Sequence, residues 1–150
     1  MLKEKIQEDL VGSQKEKEEL KVSTLRLLIA AIKNFEIAKQ GTSYQASDEE
    51  ILGVIQKEIK QRKESIEQFK VGGRQDLADK ETKEMEILQQ YLPEQIGDQE
   101  IEKIVVETIQ KVGATAAADI GKVMGALSQE LKGKADLSMV SQIVREKLSS

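Results

Sequence analysis

Apolar residues recur at steps of three and four along almost the whole chain. Leu2, Ile6 and Leu10 predict a short first helix. Leu20, Leu25, Leu28, Ile29, Ile32 and Phe35 predict a longer second one to about Lys39, with Gly41 able to take the left-handed conformation that ends a helix. A polar loop over 42–46 follows. Ser47-Asp48-Glu49-Glu50 then has the form of a capping box, serine at the N-cap and glutamate three residues on. It opens a third helix, with Ile51, Ile55, Ile59, Ile66 and Phe69 inward, to about Val71. Gly72-Gly73 breaks that helix, and a fourth over about 74–91 turns Leu77, Met85, Leu88 and Leu92 inward. No run alternates with period two and no segment repeats, so the pattern specifies an all-α protein.

Leu92-Pro93 is the only proline step. The residue before a proline is pushed out of the α region, so a helix should end there. Three more helices are expected beyond it. Asp98 is the expected cap of the fifth (Ile101, Ile104, Val105, Thr108, Ile109, Val112), which Gly113 closes. Asp119 is the expected cap of the sixth (Ile120, Val123, Met124, Leu127, Leu131), which Gly133 closes. Asp136 is the expected cap of the seventh (Leu137, Val140, Ile143, Val144, Leu148). The domains expected are therefore an N-terminal bundle of about four helices, 1–92, and a C-terminal three-helix domain, 93–150.

Composition narrows the chemistry. The 150 residues include no histidine, cysteine or tryptophan. That excludes disulfides, thiolate nucleophiles, zinc knuckles, imidazole metal ligands and Ser-His-Asp machinery. No metal site and no cofactor are expected. Two tyrosines and two phenylalanines are too few for a base-stacking platform. The net charge is −4, spread as −2 on each side of Leu92-Pro93. Such a chain does not coat DNA or a membrane by bulk charge; a nucleic-acid contact needs a local basic patch. The first ten residues lack the apolar core of a signal peptide, and no stretch reaches the ~18 apolar residues of a spanning helix. The cytosol is the expected compartment.

Two constellations stand out. If the chain reverses at Gly72-Gly73, Arg62, which interrupts the apolar row of the third helix, lies opposite a point flanked by Glu81 and Glu84. A partly buried fork of Arg62 onto one of them is expected, a structural ion pair within a hairpin whose basic 57–74 and acidic 76–86 segments neutralise each other. No catalytic residues are expected there. The second constellation is 119–136, DIGKVMGALSQELKGKAD. Lys122 falls in the first turn of one helix and Lys134 just before the next, where the helix dipole disfavours a cation by ~0.3–1 kcal/mol. Beside Gly121 and Gly133, these lysines suit an anion site of backbone N–H groups and ammonium. Plain structural readings stand beside this one. Gly121 and Gly125 can let another helix approach, Gly133 can be a helix stop, and Lys132 at a helix C-terminus has the favourable sign.

The segments KQRKESIEQF (60–69), GRQDLADKE (73–81), EMEILQQYLPEQ (84–95) and GKVMGALSQELKGKAD (121–136) resemble the YqeY family nearly end to end. That family is related to the C-terminal tail of the GatB subunit of tRNA-dependent amidotransferases. The resemblance implies an all-helical, tRNA-holding module. Its nucleic-acid contacts would fall on Gly121, Lys122, Gly125, Lys132, Gly133 and Lys134, and its partners would be tRNA and a tRNA-modifying or amidotransferase-type enzyme. It also implies a carbon–nitrogen ligase label with glutamine as amide donor, although this chain lacks the amidase and kinase-like domains and any obvious nucleophile. A protein-interaction adaptor without nucleic-acid binding is the alternative.

Overall fold

The structure, a computed structural model, describes residues 1–149. Every long regular element among them is an α-helix: α1 (Leu2–Lys15), α2 (Glu19–Gln40), α3 (Asp48–Val71), α4 (Gln75–Gln89), α5 (Asp98–Val112), α6 (Ile120–Leu131) and α7 (Leu137–Ser149). The chain forms two compact units, Met1–Leu92 and Pro93–Ser150.

In the first unit, Ile6, Leu25, Leu28, Ile32, Ile51, Ile55, Ile59 and Leu88 make one aliphatic core drawn from all four helices. Each such side chain contributes ~1.5–3 kcal/mol by leaving water. The Ser47 capping box forms as expected. The hydroxyl accepts the Glu50 N–H at 3.2 Å, and the Glu50 carboxylate accepts the Ser47 N–H at 3.1 Å. This sets the start of a 24-residue helix. Gly41 has the positive φ of 81° the sequence suggested, but its ψ of −161° is not helical. It therefore bends the chain out of α2 rather than closing a left-handed turn. α4 ends at Gln89, ahead of Leu92-Pro93. Near that end the Tyr91 hydroxyl donates to Asp9 of α1 at 2.5 Å, and the Lys5 ammonium lies 6.0 Å from the Tyr91 ring centre. Burial, then the Asp9 carboxylate, pushes the Tyr91 phenol above its ordinary range.

The second unit packs Ile101, Val105, Val123, Leu127, Leu131, Ala135, Val140, Val144 and Leu148 into its own core. Gly113 closes α5 in the left-handed conformation, φ 71° and ψ 27°, a geometry that only glycine takes without penalty. One expected cap moves, and another keeps its place but not its side-chain bond. Gly97, not Asp98, is the N-cap of α5, and Asp98 supplies negative charge in its first turn. Asp119 makes no side-chain cap to α6. Its carboxylate turns back and accepts the N–H groups of Thr115 (3.0 Å) and Ala116 (3.3 Å), closing a short 3-10 turn over Ala117–Asp119. The physical reason is competition: free amides just upstream reach the carboxylate before those of α6 do. Asp136 accepts the Ser138 N–H at 3.0 Å at the start of α7.

Candidate functional site

The α3–α4 hairpin brings Arg62, Glu81 and Glu84 together. Arg62 is 9% and Glu84 7% exposed, among the few charged side chains described as buried. The geometry differs from the expected fork. One nitrogen, Nη1, donates to both carboxylates: to Glu81 Oε2 at 3.0 Å and to Glu84 Oε2. The apolar rows on both helices set this register, because Arg62 occupies an inward position between Ile59 and Ile66. Its Nε–H is buried and meets no acceptor among the described residues. The cluster holds two helices together, with Glu81 partly exposed at its edge.

A second buried charge escaped the sequence reading. Glu36 on α2 is 5% exposed. It accepts the Lys3 ammonium on both oxygens (2.9 and 3.0 Å) and the Ala46 N–H at 2.7 Å. It thereby joins α1, α2 and the loop before α3. The Lys3 hydrogen bond, followed by the Ala46 amide, holds its carboxyl below the ordinary value near 4.5. A signal was present: Leu25, Leu28 and Ile32 step inward, and Glu36 continues the row.

In the second unit the glycine- and lysine-bearing residues spread over α6 and the turn after it. Gly121 and Gly125 share one exposed face of α6, and a Cβ built on either meets nothing within 4 Å. The expectation that they admit another helix of this chain therefore fails. Lys122 is exposed in the first turn, beside Asp119. Asp119 is held below its ordinary value by the Thr115 and Ala116 amides and, to a lesser degree, by Lys122. Lys132 is the C-cap residue, also exposed. Ten residues of helix separate the two lysines, about 15 Å along the axis at ~1.5 Å per residue. At that separation the two ammonium groups do not converge on one phosphate-sized point. The α7 N-terminus already has the Asp136 carboxylate on one of its amides, that of Ser138.

Gly133 is buried at φ 76° and makes the turn. Its carbonyl accepts Gln95 Nε2 at 2.8 Å, and the neighbouring Lys134 carbonyl accepts the Ile96 N–H at 3.0 Å. The Lys134 side chain stays exposed. No group of acidic residues able to hold a metal ion occurs among the described residues, and no described helix is long and apolar enough to cross a membrane.

A family model described as Yqey-like protein matches residues 3–148. The chain belongs to the YqeY family. Three fungal relatives align with most of this chain. In Pyrenophora tritici-repentis, a protein named "Altered inheritance of mitochondria protein 41, mitochondrial" is 30% identical over 145 residues, covering 95% of this chain and 78% of the relative. A protein of the same name in Vanderwaltozyma polyspora is 30% identical over 149 residues, 95% of this chain and 79% of the relative. Another, in Saccharomyces cerevisiae, is 31% identical over 122 residues, 78% of this chain and 65% of the relative. The YqeY match spans both units of the fold, so the α6 face and the α3–α4 hairpin both lie within it.

Proposed function

We propose that this YqeY-family chain is a non-catalytic helical module that binds tRNA through the α6 face, as an accessory to a tRNA-modifying or amidotransferase-type enzyme. The observation that supports this is the pair Gly121 and Gly125. Gly125, in mid-helix, is destabilising by ~0.5–1 kcal/mol relative to alanine, while Gly121 lies in the first turn of α6. Neither is required by a neighbour within the chain or by a positive φ. A ligand that approaches the helix backbone closely would account for both. A double-stranded RNA minor groove is wide and shallow and is read by shape, which suits a helix face opened by Gly121 and Gly125 and flanked by Lys122 at one end and Lys132 and Lys134 at the other. Gly133 contributes by shaping the turn that carries the last two lysines. The cytosol, or another compartment that holds tRNA, goes with this reading, and the relatives above are named mitochondrial.

Few phosphates are engaged, so binding is weak and its salt slope corresponds to about two or three of them. A mobility-shift titration at low salt, with the full chain and tRNA, tests it. Lys122→Glu/Lys134→Glu should abolish the shift and Gly125→Leu should weaken it. Equal binding by wild type and the double reversal, or no binding by either, overturns the assignment. Glutamine hydrolysis by the purified chain should be nil. A protein-interaction adaptor is the second reading, favoured by the exposed apolar residues of α2.

A further inference from the structure

Two segments that carry the family resemblance, YLPEQ (91–95) and KGKAD (132–136), meet in the fold. At the end of α6, residues 131–134 form a type II β-turn. Lys132 has φ −59° and ψ 123°, Gly133 has φ 76°, and the Lys134 N–H donates to the Leu131 carbonyl at 2.9 Å. The Ala135 N–H shares that carbonyl at 3.2 Å. Taken alone, such a turn is soft, because glycine takes positive and negative φ about equally well. Here it is held from outside. Gln95 Nε2 donates to the Gly133 carbonyl at 2.8 Å, and the Ile96 N–H donates to the Lys134 carbonyl at 3.0 Å. Two successive carbonyls of the turn are thus fixed by one distant segment.

The holding segment, 93–96, is itself anchored. Gln95 directs its side-chain amide at two acceptors, the Pro93 and Gly133 carbonyls, both at 2.8 Å. Those are the two donors that an amide nitrogen has. Pro93 has a ring-fixed φ, which limits how the segment can bend. Ile96 is half-buried and packs against the second unit's core. The segment therefore lies along the turn as a strap. Lys132 and Lys134, both exposed, flank the strapped glycine. Their stems are flexible, but the backbone positions from which they leave are set by the turn.

We infer that Gln95 is a positioning residue for the lysine turn: through the strap it holds Lys132 and Lys134 where RNA meets them together, and RNA binding and closure of the strap favour each other. The RNA half of this rests on the reading of the α6 face given above; the strap itself does not. The coupling is reciprocal, so whatever factor a closed strap adds to RNA affinity, bound RNA adds to closure of the strap. A change at Leu92-Pro93, where the units join, reaches the lysines through these hydrogen bonds.

The test uses Gln95→Met in the full chain, which keeps the length and charge of the side chain and removes both donors. Gln95 is exposed, so the thermal melt should not change. Without RNA, amide hydrogen exchange at Ile96, Lys134 and Ala135 should quicken about three- to tenfold, the factor that goes with one or two ordinary hydrogen bonds. Val105 and Val144, in the second core, should exchange as before. With tRNA at low salt, the variant should lose affinity by a similar factor, in the wild-type background and equally in Lys122→Ala. In a Lys134→Ala background the loss should shrink, because Gln95 acts through the turn. Bound tRNA should also slow Ile96 exchange in the wild type by that factor, which a residue serving the fold alone would not bring about. Unaltered exchange at the turn in Gln95→Met overturns the strap. Quickened exchange with full tRNA affinity, or an undiminished loss in Lys134→Ala, overturns the positioning role and leaves the tRNA reading standing. No tRNA binding by the wild type overturns that reading and the coupling with it, and the exchange result alone then decides the strap.

Discussion

The two units handle charge in opposite ways. In the first, Glu36, Arg62 and Glu84 are buried and carry hydrogen bonds that tie separate elements together. In the second, Thr108 is the only polar residue described as buried, and its hydroxyl returns to the Ile104 carbonyl of its own helix at 2.8 Å. The second unit's core is aliphatic, and its lysines stand on the surface. Buried ions resist substitution because removing one strands its partner; surface ions can be exchanged with little effect on folding. A lysine that folding does not need is therefore more informative about ligands than an arginine that folding does need.

The comparison can be broken most sharply at Arg62. Arg62→Ala should lower the first unit's stability by about 3–5 kcal/mol, because Glu84 stays buried without its cation. Urea unfolding would measure it. Arg62→Met/Glu84→Leu should lose less than the single change; an equal loss would mean that packing, not charge, dominates there.

Next is Glu36→Ala, expected to lose about 2 kcal/mol as the charge-assisted bonds to Lys3 and the Ala46 amide go. Its lowered carboxyl pKa gives the direction with pH. The stability it contributes is complete above the ordinary value near 4.5 and fades as pH falls through the lowered value. Wild type and Glu36→Gln should thus differ most near neutrality and converge in acid. Divergence on acidification would contradict the assignment.

Smaller effects, of the opposite sign, are expected at Gly53 of α3 and Gly125 of α6. Both are exposed, with open space around a built Cβ. Alanine at either should stabilise by about 0.5–1 kcal/mol. Only the bulkier Gly125→Leu should also impair tRNA binding. The least effect on folding belongs to Lys122→Glu, within about 0.5 kcal/mol by thermal melt, although it should remove most of the RNA affinity.

Period alone made the helices, their order and most of their ends readable, because each amphipathic face has its own core to meet. Ser47 and Glu50 were readable because a capping box is local. Asp119 was not: its carboxylate had two sets of amides within reach, and the choice between Thr115 and the start of α6 depends on a turn that spacing does not reveal. Arg62 against Glu81 and Glu84 was readable from the hairpin, but its single-nitrogen bridge was not, since that depends on the rotamer of a buried side chain. The exposure of Leu27 and Ile37 was hidden by the inward row; they share a helix with Leu25, Leu28 and Ile32 of the core. The surroundings of Gly121 and Gly125 needed three dimensions, because an i, i+4 pair looks the same in sequence whether it faces a helix or solvent.

The Tyr91–Asp9 hydrogen bond joins positions 82 apart in sequence. A ribosome releases the chain from its N-terminus, so α1 emerges long before the residue that clasps it. Closing so long a loop is entropically costly and comes late in folding. Until α3 follows, α1 and α2 can pair only as a hairpin, and the first unit completes its core, which includes Leu88, only when α4 and Tyr91 are free of the exit tunnel. Tyr91→Phe, which keeps the ring but not the donor, should leave early hairpin formation intact and slow the final step alone.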